Sequence, residues 1–218
     1  MSTIAIVGGH GKVALLLAGA LDKQGHVVRG LIRSEHQGAD VEATGAVPYL
    51  LDIEGSDAGD FADAFGDADV VVFAAGGGGD GDAERKRTVD LEGSLKSIDG
   101  AKRAGVGRFV QISAMGVDEP LPEDTSPTWR AYVEAKRDAD IALRASGLDW
   151  TIVRPGALTD GPATDAVRLG ERLDRGEISR ADVAALLVAV IEDDSTIGAQ
   201  FEATSGDLTI SAAIATLP

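Results

Sequence analysis

Short apolar runs and longer amphipathic runs alternate along this chain. Thr3–Gly8, Val27–Arg33, Val47–Leu51, Asp69–Ala75, Arg108–Ser113 and Trp150–Arg154 have the length and β-branched content of strands. Asp69–Ala75 is apolar almost throughout, as expected of a central parallel strand covered on both faces. Between these runs, Lys12–Lys23 places Val13, Leu16, Leu17, Ala20 and Leu21 at helical spacing, and Gly25 supplies a stop. Further helices are predicted over His36–Ala43, Asp57–Phe65, Ala83–Ala104 and Arg130–Ala145. Gly76–Gly79 with Asp80–Asp82 reads as a flexible loop, and Asp118–Thr128 as a polar, Pro-containing one.

The repeated strand–loop–helix order predicts an α/β fold: a Rossmann-like, doubly wound, mostly parallel sheet with helices on both faces. Residues 1–218 form one compact domain in this reading, with a small substrate-side region around 156–180. Pro155 and Gly156 stop the sixth strand, and Leu158–Ile178 is predicted to hold small strands or turns. Ala181–Glu192 follows as a helix, with Ser179 as its cap and Asp182 in its first turn. Phe201–Ala203 is the expected last strand and Ile210–Leu217 a terminal helix.

Composition narrows the chemistry. A hydrophobic share of 44% is ample for a packed core, and a net charge of −16 disfavours nucleic-acid backbones and anionic membranes as partners. A small basic site remains free to bind a small anion. The absence of cysteine excludes disulfides, thiolate chemistry and cysteine-ligated metals. His10, His26 and His36 are scattered, so no metal site is expected. No apolar run approaches a membrane span, and Met1-Ser2-Thr3 leads straight into a strand without signal-peptide features. A cytoplasmic protein acting on a small molecule is the expectation, with monomer and homodimer both open.

The sharpest local pattern is Gly8-Gly9-His10-Gly11-Lys12-Val13-Ala14, at the junction of the first strand and first helix. Gly8 allows a tight turn, Gly11 clears the approach of a pyrophosphate, and Ala14 permits close helix–strand packing. The helix start then offers unpaired N–H groups to the phosphates. The second strand ends in Arg33 where an NAD-binding chain commonly has an acid. Arg33 suits the 2′-phosphate of NADP, although NAD remains possible and Arg33 also reads as a surface arginine. Asp52 and Ile53 are placed to line an adenine pocket, or Asp52 to cap a turn. Ala74, Ala75 and Gly76 are small enough for a cofactor ribose to lie against the sheet edge.

Ser113 ends the fifth strand, and Tyr132 and Lys136 lie four residues apart on one helical face. A nearby ammonium favours a phenolate, so Lys136 is expected to lower the Tyr132 pKa. Tyr132 would exchange a proton with a substrate oxygen that Ser113 orients, while Lys136 reaches the nicotinamide ribose. The bland reading is a half-buried tyrosine, a solvated lysine and a serine that caps a loop.

With these residues in place, the chain resembles an atypical short-chain dehydrogenase/reductase. It is most similar to the compact NAD(P)-binding group that includes NmrA-like and biliverdin-reductase-B/flavin-reductase-like proteins. The resemblance covers almost the whole chain. It rests on Gly8-Gly9-His10-Gly11, Leu31-Ile32-Arg33, Phe73-Ala74-Ala75-Gly76 and Arg108-Phe109-Val110. Tyr132-Val133-Glu134-Ala135-Lys136, Trp150 to Gly156 and Ser179 to Ala184 also match. It implies an NADP-dependent oxidoreductase that passes hydride to a small carbonyl, quinone or flavin-like acceptor. Ser113, Tyr132 and Lys136 would be the catalytic set. Gly8, Gly9, His10, Gly11, Lys12, Val13, Arg33, Asp52, Ile53, Ala74, Ala75, Gly76, Lys136, Pro155 and Ala157 would meet the cofactor. His10 in the turn and the long Ser113–Tyr132 interval depart from the group's pattern. Two other functions fit the same fold: a non-catalytic NADP-binding redox sensor, and an NAD(P)-dependent epimerase.

Overall fold

The computed structural model describes residues 1–78 and 82–217. The predicted loop over Gly76–Gly79 and Asp80–Asp82 therefore lies partly outside the described residues. Six strands follow one another in the expected order: β1 (Thr3–Val7), β2 (Val27–Ile32), β3 (Val47–Leu50), β4 (Val70–Phe73), β5 (Arg108–Ile112) and β6 (Asp149–Pro155). All six pair in parallel, and the spatial order β6-β5-β4-β1-β2-β3 reverses between β1 and β4. Such a reversal opens a crevice at the carboxyl ends of the strands, where ligands of open α/β sheets sit.

The helices cover both faces, as their apolar stripes require. α1 (Lys12–Lys23) turns Val13, Ala14, Leu17, Ala18 and Leu21 inward, and packs beside the late helix α7 (Arg180–Glu192). The sequence of α7 is apolar on nearly every side, so it is sandwiched between the sheet, α1 and the short terminal helix α8 (Ile210–Ile214). On the opposite face, Phe61 and Phe65 of α3 (Ala58–Phe65) meet Phe73 and Phe109 of the sheet. Each of these fully buried rings contributes about 1.5–3 kcal/mol of hydrophobic stabilisation. Asp57 closes the start of α3 with a reciprocal capping box to Asp60. A minor helix, α2 (Gly38–Glu42), follows a 3₁₀ turn at Glu35–Gln37.

Three details depart from the sequence reading. The expected helix over Ala83–Ala104 is present, but it comprises α4 (Ala83–Arg85), a π-helical stretch over Lys86–Glu92, and α5 (Gly93–Ala104). A π-stretch widens the helix locally and recurs at functional sites; here it buries Lys86 and Asp90. α6 (Pro127–Arg144) begins before Arg130 because Pro127 is well suited to a first helical turn and Ser126 caps Trp129 N at 3.3 Å.

The third departure is at the sheet's far edge, which is antiparallel. β10 (Gln200–Ser205) joins β6 in parallel, β8 (Ala166–Gly170) runs antiparallel to β10, and β11 (Leu208–Thr209) pairs with β8. Within the looser region, β7 (Ala157–Thr159) and β9 (Glu177–Ser179) form a separate parallel pair. Ser179 caps α7 as expected, accepting from Asp182 N at 2.9 Å. Among the described residues, no helix is long and apolar enough to cross a membrane.

Candidate active site

The β1–α1 turn is built for close approach. Gly8 has φ +80°, and a Cβ there would lie 2.8 Å from the Ala75 backbone. Gly9 donates to Leu31 O at 2.8 Å, and a Cβ on it would lie 2.7 Å from Gly30 Cα. Larger residues at either position would push the turn off the sheet. Gly11 starts α1 without a side-chain cap, and the first intrahelical bond runs from Leu15 N to Gly11 O at 2.9 Å. The amides of Lys12, Val13 and Ala14 precede that bond and form the positive end of a three-turn helix. This cradle fits a pyrophosphate.

Beside the turn lies a cavity of about 340 Å³ over the ends of β1, β2 and β3. Gly8, His10, Gly11, Arg33, Asp52, Ile53 and the ridge Ala74–Gly78 line it. The Arg33 amide donates to Gln37 Oε1 at 3.2 Å, but its exposed guanidinium forms no hydrogen bond or ion pair among the described residues. His10 Nε2 lies 2.7 Å from Asp40 Oδ2, and Gln37 Nε2 3.3 Å from His10 Nδ1, so the ring is tied to α2 and its preceding turn. Asp52 receives the Glu54 amide at 3.2 Å.

Gly9, Lys12 and Val13 do not line this cavity. Gly9 packs on β2, Val13 points into the core, and Lys12 Nζ reaches Asp160 Oδ2 at 2.7 Å. Arg180 also binds Asp160, at 2.6 Å.

A second cavity of about 850 Å³ opens over β4, β5 and β6 and shares the Ala74–Gly78 ridge with the first. Ser113, Tyr132, Lys136, Pro155 and Ala157 all line it. Met115, Trp129, Leu158 and Leu173 give it an apolar mouth. Trp129 stacks on Tyr132 with ring centroids 5.2 Å apart.

Lys136 is buried. Its ammonium lies 3.2 Å from Asp90 Oδ1 and donates to Ile112 O at 3.2 Å and Ala75 O at 3.4 Å. Burial pushes its pKa down, but Asp90, with Tyr132 and Asp140 adding to it, outweighs the burial and the net shift is upward. Asp90 Oδ2 also receives the Gly77 amide at 2.9 Å, which fixes the ridge between the two cavities.

The Tyr132 expectation is corrected. Lys136 does pull the phenol down, but burial dominates, with Asp90 and Asp140 adding to it, so the pKa rises. Tyr132 is therefore a protonated phenol at neutral pH, and its oxygen has no hydrogen-bond partner among the described residues.

Ser113 is tied into a buried network. It donates to Asp140 Oδ2 at 2.7 Å, and Asp140 also receives Gln111 Nε2 at 2.6 Å and Arg154 Nε at 2.9 Å. Arg154 continues to Asp118 at 2.6 Å. Burial opposes the Arg154 charge, yet the bonds to Asp118 and Asp140 raise its pKa. With its hydrogen committed to the bond with Asp140, Ser113 faces the cavity as a hydrogen-bond acceptor, which corrects the expectation that it orients a substrate carbonyl oxygen.

Sequence reasoning missed Lys86, Asp90, Asp140 and Arg154. One signal was present: Asp140 stands four residues beyond Lys136 on α6, at a position whose neighbours Val133, Ala139 and Leu143 are buried.

A glycine turn at the first βα junction and twin cavities at the sheet's switch point define a Rossmann NAD(P)-binding protein. The chain matches the NAD(P)H-binding family over residues 8–194 and belongs to it. It is 36% identical to a Bacillus subtilis protein named an uncharacterized sugar epimerase, over 97% of this chain and 98% of that one. A solved Bacillus halodurans structure, designated a candidate NAD-dependent epimerase/dehydratase, superposes with TM-score 0.91 at 34% identity over 100% of both chains. An oxidoreductase structure from Lactococcus lactis shares the fold, with TM-score 0.86 at 24% identity over 98% of this chain and 95% of that one.

Proposed function

We propose that this protein is an NADPH-dependent reductase that delivers hydride to a small, planar carbonyl, quinone or flavin-like acceptor. The observation that carries the reading is Tyr132: a protonated phenol facing the larger cavity, beside a lysine held cationic by Asp90. Bound NADPH supplies the hydride, and the residues of this chain bind, orient and protonate around it. Gly8, Gly11 and the first amides of α1 hold the pyrophosphate. Arg33, whose guanidinium has no partner among the described residues, takes the 2′-phosphate and sets the preference for NADPH. Asp52 and Ile53 flank the adenine, Ala74–Gly76 lie under the ribose, and Pro155 and Ala157 border the nicotinamide end. Lys136, whose three N–H groups already face Asp90, Ile112 O and Ala75 O, places its positive charge beside the nicotinamide ribose. With a carbonyl acceptor, the Tyr132 phenol gives its proton to the carbonyl oxygen as the carbonyl carbon receives hydride, and solvent reprotonates the phenolate. Ser113 accepts a hydrogen bond from the product hydroxyl. The apolar mouth and Trp129 favour a flat acceptor.

The test is NADPH oxidation with quinone, flavin and small-carbonyl panels, with product detection. Acceptor-dependent turnover should fall by about 100-fold or more in Tyr132→Phe, with NADPH affinity kept. Tight NADPH binding without turnover on any panel would contradict the reading and favour a sensor. Epimerisation is a second reading, supported by the name of the Bacillus subtilis relative. It predicts an altered substrate with no net cofactor oxidation.

A further inference from the structure

The larger cavity contains a cation that the proposed chemistry does not use. Lys86 opens the π-helical stretch and is buried, with 6% of its surface exposed. Its ammonium donates to Gly78 O and lies 5.2 Å from the centre of the Tyr132 ring. It forms no ion pair among the described residues. The other cations of the cavity have carboxylate neighbours: Lys136 has Asp90 at 3.2 Å, and the exposed Arg175 has Glu119 at 3.8 Å, which it shares with Arg172. A buried ammonium with a neutral oxygen as its partner is poorly compensated, and an anion on it would be strongly held. In a chain of net charge −16, a surplus positive charge inside this cavity runs against the overall field.

We propose that Lys86 recognises a carboxylate on the acceptor, so that the preferred substrates are acidic planar carbonyl compounds. The cation sits against the face of the same ring whose phenol donates the proton. A carboxylate bound there orients the reducible carbonyl toward Tyr132. The chemical step is that of the reductase reading, on which the proposal rests, but the anion site is testable without turnover.

Two probes separate these claims. Terephthalate reports binding to the protein–NADP⁺ complex by calorimetry, and 4-carboxybenzaldehyde against its methyl ester reports selectivity by KM and kcat. Terephthalate should bind the wild-type complex. Its affinity should fall about tenfold or more in Lys86→Met and stay near wild type in Lys86→Arg. The acid aldehyde should lose its KM advantage over the ester in Lys86→Met, while NADPH affinity is unchanged. Lys86→Arg, which keeps the charge, guards against a packing effect of the methionine.

Absence of terephthalate binding to wild type, or equal binding by Lys86→Met, would overturn the proposal. So would a loss of NADPH affinity in Lys86→Met with terephthalate binding intact, because Lys86 would then serve the cofactor. Lys86-dependent terephthalate binding without reduction of either aldehyde would uphold the anion site and count against the reductase reading.

Discussion

At the scale of single residues, charge and proton position decide the chemistry. Arg33 is the simplest case: an exposed guanidinium with no partner among the described residues, at the mouth of the smaller cavity. Arg33→Ala should raise the Kd for NADPH about tenfold and leave NADH nearly unchanged, as titration calorimetry would show. Equal losses for both cofactors would remove Arg33 from 2′-phosphate recognition. Tyr132 gives a pH prediction whose sign follows from its raised pKa. The phenol stays protonated through neutral pH and loses its proton only above the ordinary tyrosine value of 10.0. The kcat/KM for reduction should therefore be flat through neutrality and fall only in that alkaline range, whereas alcohol oxidation should climb with pH. A reduction rate falling near neutrality would point to another proton donor. Gly8 and Gly11 could be recognised from the sequence because backbone approach depends on a missing side chain at a fixed place. The Tyr132 shift could not, because its direction depends on how much burial surrounds the ring.

At the scale of elements, hydrophobic period identified α1, and short apolar runs identified the six parallel strands, of which the edge strand β3 is largely exposed. The π-stretch was not legible: Lys86–Glu92 has the composition of an ordinary helix, and nothing in it marks the widened turn that packs against α6. The edge strands β8 and β11 are short, and only Val167 and Leu169 of β8 point firmly inward, which left no alternation long enough to read. Asp140 was hidden because α6 looks amphipathic with a polar side, yet that carboxylate turns inward to Ser113, Gln111 and Arg154. Asp140→Ala would strand the buried Arg154 and free Ser113. It should cost about 3–5 kcal/mol in urea unfolding, the range for breaking a buried ion pair. A loss below about 1 kcal/mol, the range of surface pairs, would mean that Asp118 alone satisfies Arg154.

At the scale of the whole molecule, two hydrophobic layers share one sheet, and the looser 156–180 region is fastened to them by polar contacts. Asp182, fully buried at the start of α7, accepts from Thr164 N at 2.7 Å, Asp165 N at 2.9 Å and the Ser179 hydroxyl at 2.8 Å. Burial would raise its pKa, but these bonds more than offset it and the net shift is downward. A depressed carboxylate stabilises the fold above its unfolded value and ceases to do so as pH falls through its folded value. Wild-type Tm should therefore drop more steeply below about pH 4 than that of Asp182→Asn, which carries no such charge. Parallel Tm–pH curves would separate Asp182 from acid sensitivity.

Net hydride transfer from NADPH to an acceptor can be followed with NADPH deuterated at the transferable position and 4-carboxybenzaldehyde as acceptor. The product alcohol carbon should carry one deuterium for each NADP⁺ formed. Product without deuterium, or oxidation of NADPH without product, would contradict it.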